Sequence, residues 1–240
     1  MDKYSIAGLR VRAKFHYDRM IANMPKYKSD FDEEAEIFIN ITKQMSMEYQ
    51  DENPHFTLGS CEYSMAGSQF YTQLLDHDGM MLHASSIMMD GNAYLFSARS
   101  GTGKSTHTSL WQKVYGKDRA VNFNDDKPAI RIIDSKAYAC GTPFSGKSDI
   151  NLNVIVPLKA ICFLERSETN YIEKIPPFKA IPLIINQTIF KGQPPEIQQK
   201  VQNMIAKIIS LVPVYKLGCN ISDEAAILAH DVMSGEKSVL

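Results

Sequence analysis

A mixed α/β fold, with largely antiparallel sheets and flanking helices, is the architecture this sequence predicts. Three observations carry the prediction. Short β-rich apolar runs recur between turn residues, as around Asp90-Gly91 and Asp134-Ser135. Longer stretches near the C-terminus repeat apolar residues at helical spacing. Between them, the run Asn92 to Ala98 enters a glycine-rich loop from which a helix should emerge and continue to about Tyr115.

In chain order, Ile6 to Phe15 alternates loosely as one strand, and Glu36 to Thr42 has a β-rich pattern. Tyr63 to Leu75 is helical by spacing. Two short apolar runs follow, Met80 to Met89, which ends at a hairpin-type turn, Asp90-Gly91, and Asn92 to Ala98. Arg119 to Phe123 reads as a strand. Ala129 to Ile133 and Ala137 to Cys140 read as a hairpin, Gly141 to Lys147 as a loop, and Leu158 to Leu164 as a strongly apolar strand. Helices are expected over Phe178 to Phe190 (interrupted at Pro182), Pro195 to Leu211, and Ser222 to Met233, the last capped by Ser222 or Asp223. A single domain over 1–240 follows, with residues 1–60 as an N-terminal embellishment.

At 240 residues, a chain can bury roughly 70% of its unfolded surface, so the core needs no staple. The 26 Lys and Arg against 27 Asp and Glu give a net charge of −1. No basic field draws nucleic acid or an anionic membrane. Cys61, Cys140, Cys162 and Cys219 are too scattered for a zinc knuckle or a dithiol pair, and read as reduced thiols of a cytoplasmic protein. The polar start Met1 to Ser5 lacks the apolar stretch of a secretion signal.

Ala98 to Thr106 reads A-R-S-G-T-G-K-S-T. It fits the phosphate loop G-x-x-x-x-G-K-[ST] except that Ala98 replaces the first glycine. The chemistry explains the pattern. Glycines let successive N–H groups converge on phosphate oxygens, and the following helix adds its N-terminal dipole. Ser100, Gly101, Thr102, Gly103, Lys104, Ser105 and Thr106 are the expected nucleotide-binding residues, with Lys104 on the phosphates and the Ser105 hydroxyl on magnesium. ATP and Mg2+ are the cofactors this implies.

Asp125 and Asp126 end a strand-like run, and neighbours there point in different directions. Phosphoryl transfer asks for two carboxylates in different roles, one on metal and one facing an acceptor hydroxyl. Close carboxylates also raise one another's pKa, which suits a base. Asp126 is expected with Ser105 as a metal ligand, although either aspartate fits either role.

The order Leu82-His83, Gly101 to Ser105, Asn124-Asp125-Asp126 and Gly141-Thr142-Pro143 resembles the HPr kinase/phosphorylase family. That family shares its phosphate-loop fold with the C-terminal part of phosphoenolpyruvate carboxykinases. The resemblance spans Gly67 to Arg166 and is nearest to the shorter bacterial HPr-kinase-like proteins. It implies an HPr-kinase-like domain, catalytic roles for Lys104, Asp125 and Asp126, and a position for His83 beside the reacting phosphate. It also implies a homo-oligomer, as relatives often form. The chain is shorter than true HPr kinases and lacks a counterpart of their HPr-engaging segment, so the expected acceptor is a serine in another peptide or small protein.

Other side chains are open to two readings. His107 caps or packs the loop helix. Arg99 reaches a phosphate or is a solvated loop charge. Thr142, Ser145 and Lys147 sit in a loop of the kind that carries binding residues. Arg166 stabilises transferring charge or pairs with Glu165 or Glu168. The sequence thus points to a serine kinase using ATP and Mg2+. The alternatives are a carboxykinase-like enzyme acting on a small keto acid and a non-catalytic nucleotide-binding module.

Overall fold

Positive backbone angles at three two-residue turns set the strand pattern. β1 (Asp2–Ile6) and β2 (Leu9–Lys14) are joined by Ala7 and Gly8 at φ 53° and 77°. The single strand expected from Ile6 to Phe15 is therefore two, folded back at a left-handed turn that Gly8 makes accessible. The structure is a computed structural model that describes residues 1–236; the last four positions of the expected 1–240 domain lie outside the described residues.

After α1 (Asp18–Asn23), β3 (Ile37–Asn40) pairs in parallel with β2 and completes a three-stranded sheet. Two helices follow, α2 (Lys43–Glu52) and α3 (Leu58–Leu74). Each is capped by a threonine hydroxyl. Thr42 accepts from the Met45 amide and Thr57 from the Ser60 amide. The sequence reading missed α1 and α2. Ser46 is the residue α2 buries, so it carries no apolar stripe to betray it.

The chain then builds the larger sheet. β4 (Gly79–Met81) and β5 (Ala84–Met89) lead through Asp90 (φ 51°) and Gly91 (φ 76°) into β6 (Asn92–Ser97). The glycine-rich segment and α4 (Lys104–Tyr115) follow. β7 (Val121–Asn122) is shorter than expected, because the chain turns away at Asn124. β8 (Ala129–Ile133) and β9 (Lys136–Cys140) form the expected hairpin, with Asp134 and Ser135 at φ 48° and 61°. β10 (Ile155–Arg166) is the longest strand. β11 (Tyr171–Lys174), α5 (Pro177–Ile185), α6 (Pro195–Leu211), β12 (Val214–Cys219) and α7 (Asp223–Ser234) complete the chain. The sequence reading missed β11 and β12.

The large sheet has nine strands, ordered β4-β8-β9-β10-β6-β5-β7, with β12 also beside β10 and β11 beyond it. β10 joins its two halves. Residues 155–157 pair antiparallel with β9, and from Leu158 onward the strand runs parallel to β6 and then β12. Helices cover both faces there. Leu95, Ile161 and Phe163 pack with Val201, Ile205 and Ile208 of α6 on one side. Tyr94, Phe96, Ala160 and Cys162 pack with Trp111 of α4 and Ala226 and Ala229 of α7 on the other. Burial on both faces is why β6 and β10 read as continuous apolar runs. The architecture is mixed α/β with multi-stranded sheets and flanking helices.

Candidate functional site

β6 and α4 fix the two ends of the glycine-rich loop. Gly101 and Gly103 take φ 76° and 122°, where a β-carbon is strained. Ala98, in place of the first consensus glycine, is buried in the apolar cluster around Trp111. Its carbonyl accepts from the Lys104 Nζ at 3.2 Å. Lys104 is itself buried, at 9% exposure; burial lowers its pKa, opposed by the charges of Asp126 and Asp125. Ser100, Gly101, Ser105 and Thr106 are exposed, and Thr102 and Gly103 half-buried. Arg166, at the end of β10, donates from Nη2 to the Gly101 carbonyl at 2.7 Å. It therefore braces the loop, while Glu165 pairs with Lys216 at 2.8 Å.

The two aspartates do point apart. Asp125 Oδ1 accepts from the Ser85 hydroxyl and from Asn122 Nδ2 at 3.2 Å. Ser85 Oγ lies 2.8 Å from Thr108 Oγ1, so Asp125 is tied to α4, the helix that carries Ser105. Asp126 lies between His83 and Lys127. His83 Nε2 meets its Oδ1 at 2.9 Å, and Lys127 Nζ meets its Oδ2 at 2.5 Å. Burial pushes the Asp126 pKa up, but the His83 hydrogen bond and the Lys127 charge outweigh it and hold the group down at about 2. The mutual raising expected for this pair is thus overturned at Asp126, because its nearest partners are a hydrogen-bonding imidazole and the Lys127 ammonium.

A buried network sets this turn. The Asn124 side-chain oxygen accepts from the Asp126 amide at 3.1 Å and the Lys127 amide at 2.9 Å, while its Nδ2 donates to the Thr142 carbonyl at 2.9 Å. Gln187 holds His83 from the other side, with its Oε1 3.2 Å from His83 Nδ1.

His83, Lys104, Ser105, Asp125, Asp126 and Lys147 line one open cavity of about 1020 Å3. Residues that the sequence reading did not select also line it, among them Arg19, Ser60, Tyr63 and Lys127. The Arg19 guanidinium lies 3.9 Å from the Tyr63 ring centre and donates to the Gly146 carbonyl at 3.1 Å. No local motif marks these residues; they reach the cavity from α1, α3 and the turn between β7 and β8. Thr142 is buried beneath the site, and Arg99 lines a separate cavity with Leu183 and Lys216. His107 packs. Its Nε2 accepts from Trp111 Nε1 at 3.2 Å, its Nδ1 has no partner among the described residues, and burial lowers its pKa to about 4. All four cysteines are free thiols. No helix among the described residues is long and apolar enough to cross a membrane.

No curated protein gives a significant sequence match. Among solved structures, the Hpr(Ser) kinase/phosphatase from Coxiella burnetii is similar at 13% identity, over 63% of this chain and 95% of its own, with a TM-score of 0.35. A family described as SynChlorMet cassette protein ScmC matches residues 60–225, from the first turn of α3 into the start of α7. This stretch holds the glycine-rich loop, His83 and both aspartates, and it covers well over half the sequence; the chain belongs to the ScmC family.

Proposed function

We propose that this chain is a phosphotransferase that moves the γ-phosphoryl group of ATP to a hydroxyl, with a serine of a peptide or small protein as acceptor. One observation carries the reading: Lys104, His83, Asp125 and Asp126, from three separate segments, face one cavity at the mouth of a glycine-rich loop. The loop amides and the Lys104 ammonium suit the phosphate chain. Ser105 and the carboxylates offer the hard oxygen donors that Mg2+ prefers, and a bound ion would neutralise charge on the phosphates. Asp125, tied to α4 beside Ser105, suits the metal side, in place of the Asp126 expected from the sequence. Asp126 then faces the acceptor.

In this scheme the acceptor oxygen bonds to the γ-phosphorus as the bond to the ADP oxygen breaks, and Asp126 takes the hydroxyl proton. A carboxylate with a pKa near 2 is a weak base. When His83 and Lys127 turn to the incoming phosphates, burial is left less opposed and the basicity of Asp126 rises. His83 and Lys127 also neutralise the transferring group.

The test combines binding and turnover. Thermal unfolding with ATP, ADP or pyrophosphate, each with Mg2+, is compared for wild type and Lys104→Ala. A ligand at a hundredfold its Kd stabilises by about 2.7 kcal/mol. Wild type should shift, and Lys104→Ala should not. Mass spectrometry of a serine-peptide library incubated with ATP and Mg2+ should then find a gain of phosphate that Asp126→Asn abolishes. Full transfer by both variants sinks the reading. A second reading, a nucleotide-sensing module without turnover, draws on Asp126, both of whose oxygens already carry partners. Nucleotide binding with no transfer to any peptide, unchanged in Asp126→Asn, would favour it.

A further inference from the structure

A second cavity, of about 530 Å3, opens on the other side of the glycine-rich loop from the aspartates. We infer that it takes the nucleobase and ribose of the same nucleotide, with the base held by apolar contact with Leu110 and Ile221. The inference rests on the nucleotide reading above and names a part of the site that the loop motif does not define.

Three observations carry it. First, the two cavities share a wall, since Gly101, Gly103 and Thr106 line both. A single ligand straddling the loop therefore has its phosphates on one side and its remaining bulk on the other. Second, the far cavity differs in chemistry. Leu110 of α4, Leu164 of β10 and Ile221, just beyond β12, give it aliphatic walls beside the polar Glu165, Arg166 and Asn220, whereas the first cavity is lined mainly by charged and hydroxyl groups with the rings of Phe56 and Tyr63. Its volume lies within the roughly 300–1,000 Å3 usual for ligand sites. Third, Ile221 is 80% exposed at this rim. A bulky apolar side chain left in water beside a cavity is stabilised by a flat ring laid against it.

The direction of the ligand agrees with the reaction. A nucleoside at Ile221 sends its phosphates across the loop toward Lys104 and Ser105, so the terminal phosphate is the one nearest the aspartates. Arg166 lines the far cavity and holds the Gly101 carbonyl, so it fixes the loop between the two halves of the ligand.

Isothermal titration tests the assignment. ATP, ADP and inorganic tripolyphosphate, each with Mg2+, are titrated into wild type, Lys104→Ala, Ile221→Ser and Leu110→Ala. Ile221→Ser should weaken ATP and ADP tenfold or more and leave tripolyphosphate unchanged; its side chain is exposed, so the fold is kept. Leu110→Ala should behave alike. Lys104→Ala should weaken all three ligands. A photoreactive azido-adenine nucleotide should label peptides that contain Ile221 or Leu110. The inference is overturned if Ile221→Ser binds ATP as wild type does while tripolyphosphate binding still depends on Lys104, because the phosphate site then stands without this base site. Labelling elsewhere also overturns it. If neither ATP nor tripolyphosphate binds wild type, the nucleotide reading and this inference fall together.

Discussion

Asp126 and His107 show the fold imposing opposite charge states on two neighbours of one loop. Asp126 is held ionised, its pKa lowered to about 2, by His83 and Lys127. His107 is held neutral, its pKa lowered from 6.5 to about 4, by burial. Both folded values lie below the unfolded ones, so both contributions are complete at neutral pH and are lost as pH falls. The His107 contribution fades from about pH 6.5 downward, and that of Asp126 only below the ordinary carboxylate range. The His107 shift corresponds to about 3 kcal/mol when fully lost. Melting temperatures between pH 7 and pH 4 should therefore fall for wild type and fall less for His107→Gln, which has no ring to protonate. Equal slopes would refute the buried neutral histidine.

At the scale of elements, two short features decide how the cavity is built. The Thr57 cap starts α3, the helix that presents Ser60 and Tyr63 to the cavity. Thr57→Ala should cost about 1 kcal/mol in denaturant unfolding, with little change in nucleotide affinity. The loop after β9 is the stricter element. Gly146 has φ +73°, and a β-carbon there would lie 2.8 Å from Asp126 Cβ. Gly146→Ala should strain the backbone by roughly 1–2 kcal/mol and displace Asp126. Phosphoryl transfer should drop at least tenfold while nucleotide binding persists. Unchanged transfer would mean that Asp126 has no part in it.

Over the whole molecule, the N-terminal segment is tied to the cavity. The buried Glu62 of α3 accepts from the His16 amide at 2.7 Å and the Tyr17 amide at 3.1 Å, just ahead of Arg19. Burial raises its pKa, and the two backbone donors oppose that rise. Glu62→Ala leaves both donors without their acceptor, so unfolding free energy should fall by about 2 kcal/mol or more. Arg19 then loses its anchorage at the cavity edge. Peptide transfer should fall with stability, whereas tripolyphosphate binding at Lys104 should hold. Loss of that binding as well would show global collapse instead.

The sequence by itself determined the parts whose causes are local. The glycine-rich segment lies within nine consecutive residues, and its strand and helix flank it directly. The turn at Asp90-Gly91 carries residues suited to its positive angles, and α6 matches its expected bounds because an apolar stripe and two prolines mark it. Tertiary structure decided the rest. α2 shows no apolar period, so only its Thr42 cap and packing against α3 reveal it. β12 is drawn into the sheet as a parallel neighbour of β10, a long-range pairing that no local pattern encodes. The charge state of Asp126 belongs to the same class. Its sequence neighbour Asp125 suggested a raised pKa, but folding brings His83 from the turn between β4 and β5 to within 2.9 Å. Coulomb energy falls with distance in space and takes no account of separation along the chain. The same holds for Arg19 and Tyr63, which enter the cavity only once α1 and α3 have packed against the loop after β9.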